Sequence, residues 1–234
     1  EDLGYFAKGN HGADFLNKDM HRLTLIMKKN YPDLPYVLIG HSMGSYMSRK
    51  YASIYGDELD GVIFLGTGNQ PKAVVDSGLK LAHIAKLVRG ERYRSELLNT
   101  IMFGAYNKRI KDNRTANDWL TKDTKIVDEY LSDPKCSYKF TANAYIGFLN
   151  VIKYDIDKKN IAKTPDKLPV LFASGLEDPV GDYGKGVKKA FKMYTKYVDN
   201  VELYLYEDDR HELHSETDRE DIFSDLYEWI EENV

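Results

Sequence analysis

The sequence predicts an α/β fold: a parallel sheet flanked by helices, with a helical insertion that interrupts the alternation. Three observations carry this. Short apolar runs stand at residues 36–39, 60–68, 168–175 and 200–207, the pattern of strands in a covered sheet. Stretches with apolar residues three and four apart lie around them, the pattern of helices that bury one side. Residues 69–165 hold many aromatics but no comparable strand run. Alternating strands and helices imply right-handed crossovers, and hence parallel strands.

The elements follow in order. Residues 14–29 place Leu16, Met20, Leu23 and Met27 on one helical stripe, with Asp14 as N-cap. "NYPDLP" ends that helix, and Tyr36–Ile39 read as a short buried strand. Met43, Met47 and Ile54 share one face of a second helix ending near Gly56, and "DGVIFLGTG" (60–68) is the next strand. Beyond the insertion, "LPVLFASG" (168–175) and "NVELYLYE" (200–207) bracket the helix "GKGVKKAFKMYTKY", whose Val187, Phe191 and Tyr194 form its buried side. "EDIFSDLYEWIEENV" closes with the stripe Ile222, Phe223, Leu226 and Ile230.

Composition narrows the function. The 234 residues carry a formal net charge of only −4, which argues against a nucleic-acid partner. No apolar run approaches the roughly 18 residues of a membrane span. The single cysteine, Cys136, makes no internal disulfide and fits a reducing, cytoplasmic setting. The chain begins with Glu1 rather than Met, so the lack of a signal peptide says little about targeting.

The chemistry centres on "GHSMGS". A nucleophile at a strand-to-helix turn needs a backbone tight enough to push its side chain out, and Gly40 and Gly44 flank Ser42 at the spacing that permits this. The following helix N-terminus favours developing negative charge, and the Met43 N–H is a candidate oxyanion donor. Serine also needs a base, and the base an orienting acid. "SGLEDPVGD", after the third strand, offers Asp178, with Glu177 and Asp182 as alternatives. "YEDDRHELHSE", after the fourth, offers His211 and His214; His211 is preferred because it stands closer to the strand end.

"GHSMGS", "GLEDPVG" and "RHELHSE", in this order, resemble the α/β-hydrolase branch of monoacylglycerol lipases, lysophospholipases and related serine hydrolases. Residues 117–141, "NDWLTKDTKIVDEYLSDPKCSYKFT", are similar to a stretch of bacterial lysophospholipases. The resemblance spans essentially the whole chain. It implies an acyl-ester hydrolase in which Ser42 is nucleophile, His211 base and Asp178 its orienter. The expected organisation is residues 1–68 as a core part with the nucleophile turn, 69–165 as a helical cap, and 166–234 as a core part with the acid and histidine loops. Where the family usually has Asn after "HE(L/I/M)", this chain has His214 and Ser215, a departure that leaves the three residues intact.

The resemblance also implies strands ahead of the nucleophile strand, one of which carries a His-Gly loop with a second oxyanion N–H. A βαβ unit takes some 30 or more residues, and most of the chain before Tyr36 belongs to one helix. His11-Gly12 is rejected as that loop, because no apolar strand precedes it. The expectation is a C-terminal part of an α/β-hydrolase fold, with a bare sheet edge at residues 36–39. A missing N-terminal segment, a companion chain or a dimer would cover that edge.

The remaining signals are weaker. "HELH" places its histidines three apart, not the four that a zinc-protease helix needs, so neither metal nor cofactor is expected. Lys185, Lys188, Lys189, Lys192 and Lys196 read as the solvated face of a helix, and His83 and Cys136 as structural. Two rivals to the esterase remain. One is an aminopeptidase-like serine hydrolase, the other a catalytically impaired fragment acting as a binding or assembly module.

Overall fold

The computed structural model describes residues 3–111, 113–136 and 138–234. Its sheet has four strands, β1 (Val37–His41), β2 (Gly61–Leu65), β3 (Val170–Gly175) and β4 (Val201–Tyr206), in the spatial order β1-β2-β3-β4. Every pairing is parallel, with Ile39 beside Ile63, Ile63 beside Leu171 and Leu171 beside Glu202. This is the parallel, helix-flanked sheet that the alternation of strands and helices predicts.

Helices α1 (Gly12–Asn30) and α2 (Met43–Tyr55) flank β1 in sequence. Helices α3 (Lys72–Arg89), α4 (Glu96–Phe103), α5 (Thr124–Ser132), α6 (Ala142–Asp155) and α7 (Lys158–Ile161) lie between β2 and β3. Helix α8 (Lys185–Tyr194) joins β3 to β4, and α9 (Arg219–Asn233) follows β4. Polar side chains start several of these helices. Ser95, Asp123, Thr141 and Asp157 each accept a first-turn N–H, meeting donors that the helix itself leaves free.

The two-residue period of β2 and β3 divides the core. Val62, Phe64, Val170 and Phe172 pack with Tyr51 of α2 and Val187, Ala190 and Tyr194 of α8. Ile63, Leu65, Leu171 and Ala173 face the other way, onto Ile222, Leu226 and Trp229 of α9. A third cluster joins α1, α2, α3 and α6.

Four details differ from the sequence reading. Helix α1 begins at Gly12 rather than Asp14, because the His11 carbonyl already accepts the Asp14 and Phe15 N–H groups. Leu23 faces outward at 56 % exposure, while Asn17 and Thr24 are buried. The buried Tyr51 hydroxyl needs an acceptor and donates to Thr24 Oγ1 at 2.8 Å, which explains the polar choice. Ile54 and Phe223 are exposed. Trp229 takes the buried place on α9, its indole N–H donating to Glu202 at 2.8 Å. The fourth is the burial of β1: the strand is the expected bare edge, paired only with β2 among the described residues, and its Ile39 is half exposed rather than buried.

Candidate active site

Ser42 sits between the last residue of β1 and the first of α2, with φ 53° and ψ −121°. That is a costly backbone for a residue with a Cβ, on the order of 1–3 kcal/mol. It is sustained by the sheet and the helix. Ser42 N–H donates to the Leu65 carbonyl of β2 at 3.0 Å, and its carbonyl accepts the Ser45 N–H at 2.9 Å.

The flanking glycines are not equivalent. A Cβ on Gly40 would stand 2.3 Å from Ser48 Oγ and 2.5 Å from the Gly44 carbonyl oxygen, whereas one on Gly44 would meet nothing within 4 Å. The tight crossing of strand and helix therefore needs glycine at 40 only. Gly40→Ala is expected to prevent native folding or to cost several kcal/mol. Gly44→Ala should hold or raise stability by about 0.5–1 kcal/mol, the helix-interior gain of alanine over glycine. Urea unfolding of both variants checks the contrast.

Asp178 and His211 stand on loops after β3 and β4, and both are buried. His211 Nδ1 lies 3.0 Å from Asp178 Oδ1, which also accepts the Val180 N–H at 2.8 Å. His211 Nε2 lies 2.7 Å from Ser42 Oγ. A carboxylate only accepts, so the imidazole proton belongs on Nδ1. Nε2 is then free to accept from the Ser42 hydroxyl. Of the alternatives, Glu177 and Asp182 are exposed, and His214 packs its ring 4.7 Å from that of His41 instead of reaching Ser42.

Met43 opens α2, where first-turn N–H groups have no carbonyl partner within the helix. His11 bonds to Asp14 at 3.2 Å and does not line the cavity at Ser42. "HELH" offers no histidine pair for a metal, since both ring nitrogens of His211 are already engaged.

The cavity above Ser42 has a volume of about 690 Å³. Phe103, Trp119, Tyr130, Phe140 and Phe148 supply its aromatic wall, and Asn99, Asn107 and Asn117 its polar points. Cys136, read as structural, lines this cavity, and His83 is exposed on α3.

Three contributors escape the sequence reading. Trp119 sets its indole 5.0 Å from the His211 ring. Arg49, buried in α2, donates to the Gly68 carbonyl at 2.8 Å and the Asp155 carbonyl at 3.0 Å, tying α2 to the loop after β2 and to the end of α6. Burial pushes the nearby Asp155 carboxyl up to about 8, against the opposing pull of Arg49. The third is His41, which a bare G-x-S-x-G pattern leaves unspecified. Its Nε2 donates to the His211 carbonyl at 3.2 Å.

Burial, followed by repulsion from His211 and His214, drives His41 from 6.5 down to about 3. Between those values the unfolded chain binds a proton at this residue that the folded chain refuses. Stability is therefore lost as pH falls, by up to about 1.4 kcal/mol per unit. His41→Gln removes this titration. Urea unfolding at pH 7 and pH 5 is expected to show a smaller acid loss in the variant, by on the order of 2 kcal/mol.

The family described as serine aminopeptidase, S33, matches residues 9–218. A monoglyceride lipase homolog of Monkeypox virus is 22 % identical over 215 residues, covering 91 % of this chain and 69 % of that protein. A thermostable carboxyl esterase from Bacillus coagulans, solved with glycerol, superposes with TM-score 0.88 at 28 % identity, over 97 % of this chain and 73 % of that one. A soluble variant of monoglyceride lipase from Saccharomyces cerevisiae, bound to a substrate analog, shares the fold. Its TM-score is 0.70 at 20 % identity, over all of this chain (100 %) and 75 % of that one. No helix among the described residues is long and apolar enough to cross a membrane.

Proposed function

The chain belongs to the serine aminopeptidase S33 family of α/β-hydrolases, and from that premise we propose that it hydrolyses single-chain carboxylic esters, of the monoacylglycerol or lysophospholipid class, through an acyl-enzyme. The observation that carries this is the unbroken line from Asp178 through His211 to Ser42 on the floor of an aromatic cavity.

In this reading Ser42 Oγ attacks the ester carbonyl carbon while His211 Nε2 takes its proton. The oxyanion of the tetrahedral adduct is met by the Met43 N–H at the start of α2. The C–O bond to the alcohol then breaks, and the imidazolium returns the proton to the leaving oxygen. Water, deprotonated by His211, attacks the acyl-Ser42 carbonyl, and the carboxylic acid leaves as the serine is regenerated. Asp178 holds the imidazole in the Nδ1–H tautomer and stabilises its charge. The aromatic wall suits an acyl chain, and the volume falls within the roughly 300–1,000 Å³ typical of small-molecule sites. The likeness to a monoglyceride lipase homolog and a carboxyl esterase supports an ester over an amide.

Turnover of a monoacyl glycerol ester against an aminoacyl amide tests the reading. The ester is expected to be preferred by at least about tenfold in kcat/KM, or ~1.4 kcal/mol. Clear preference for the amide would make the chain a peptidase. Turnover of neither substrate would favour a binding or assembly role.

A further inference from the structure

The loop that carries His211 is held from outside its own strand. Beyond the end of β4 at Tyr206, the chain runs along residues 118–122, a segment of the insertion ahead of α5. His211 N–H meets the Trp119 carbonyl at 3.4 Å, and Glu212 N–H donates to the Leu120 carbonyl at 2.7 Å. Arg210 Nη1 donates to the carbonyls of Asp118 and Thr121 at 2.7 and 3.0 Å. Two stretches about ninety residues apart thus lie side by side.

Glu216 closes this junction. Its carboxylate is fully buried. Oε1 accepts the N–H of Arg210, the residue just before His211, at 2.8 Å. Oε2 accepts the Lys122 N–H at 3.0 Å and lies 3.0 Å from Thr121 Oγ1. A carboxylate stays buried only where donors replace its water. The two backbone N–H groups do so, and the Thr121 hydroxyl shares its one proton between Glu216 and the Ser215 carbonyl, 2.9 Å away. The Lys122 ammonium stands 2.5 Å from Asp209 and 3.8 Å from Asp218, so this acidic corner already contains a cation. The arrangement is a brace, not an ion site.

We propose that Glu216 is a positioning residue for His211, its carboxylate locking the histidine loop onto residues 118–122 so that the imidazole stays in line between Asp178 and Ser42. The proposal rests on the reading of Ser42 and His211 given above. Proton transfer tolerates little displacement, and a group misplaced by ~1 Å costs on the order of 100-fold in rate. Trp119 belongs to the braced segment and packs on the imidazole, so loosening the segment frees one wall of the ring as well. Glu216 does not line the cavity, so its removal has no direct route to substrate affinity.

Glu216→Gln tests this. The variant keeps the shape but has one acceptor oxygen for two sets of donors, and its NH2 is turned against an N–H. The measurements are kcat and KM on a 4-nitrophenyl acyl ester, and the rate of labelling by a fluorophosphonate, all well below the unfolding midpoint. The expected result is a fall of about 10- to 100-fold in kcat and in labelling rate together, with KM within about twofold. Thr121→Val, which removes one donor, should move kcat the same way by a smaller factor. It also serves as the deciding variant if Glu216→Gln does not fold. A folded Glu216→Gln with kcat and labelling rate within about twofold of the parent, or one that changes KM alone, overturns the proposal, as does an unchanged kcat in Thr121→Val when the first variant cannot be made. Labelling that survives Ser42→Ala instead overturns the underlying catalytic reading, so the two failures are distinguishable.

Discussion

Ser42→Ala is expected to lower ester turnover by on the order of 10⁴- to 10⁶-fold while leaving the fold intact. The size follows from the geometry. Ser42 Oγ is the atom 2.7 Å from His211 Nε2, and the turn holds it there in a strained backbone conformation. Alanine occupies the same backbone, so the unfolding midpoint should move little. A companion Ser42→Gly separates strain from chemistry. Glycine adopts positive φ freely, so this variant should gain about 1 kcal/mol of stability yet be equally inactive. Urea unfolding alongside initial rates checks both. Ser42→Ala that retains more than about 1 % of parental kcat would contradict the assignment.

Asp178→Asn should be nearly as severe, lowering kcat by roughly 10⁴-fold. The carboxylate accepts from both His211 Nδ1 and the Val180 N–H through Oδ1. An asparagine whose oxygen stays on the Val180 N–H keeps the imidazole bond too but brings no charge to the imidazolium. One whose NH2 takes the Oδ1 place loses the Val180 bond and forces the imidazole proton onto Nε2. In that tautomer the ring cannot take the Ser42 proton. Glu177→Gln and Asp182→Asn change exposed carboxylates on the same loop and should stay within about threefold of the parent. Steady-state rates of the three variants decide which acid orients the histidine. Equal losses in all three would mean that loop charge matters rather than tautomer control.

Some of this architecture is legible in the sequence because local and global demands coincide. β2 and β3 are buried on both faces, so their continuous apolar runs announce strands whatever surrounds them. The serine turn is legible because a strand, a glycine-flanked serine and a helix fall in immediate succession. Asp178 and His211 follow because loops after parallel strands open on the same sheet edge.

What is not legible depends on contacts distant in sequence. The inward side of α1 is set by a tyrosine hydroxyl on α2 that seeks Thr24, and hydrophobic spacing alone picks Leu23 instead. Gly44 fits the serine-turn pattern, yet only Gly40 is crowded. Trp119, Arg49 and Glu216 act on the site through partners that spacing cannot reveal, and each looks in sequence like an ordinary surface or core residue.

The central claim is that Ser42 carries the acyl group during turnover. The most direct measurement is rapid acid quenching of the protein during reaction with a 4-nitrophenyl acyl ester, followed by mass analysis of its peptides. Up to one acyl group per chain is expected, on the peptide containing Ser42, and none on that peptide in Ser42→Ala. An acyl group on another residue, or brisk ester turnover in which no acylated Ser42 can be trapped at any time point and Ser42→Ala remains active, would contradict the claim.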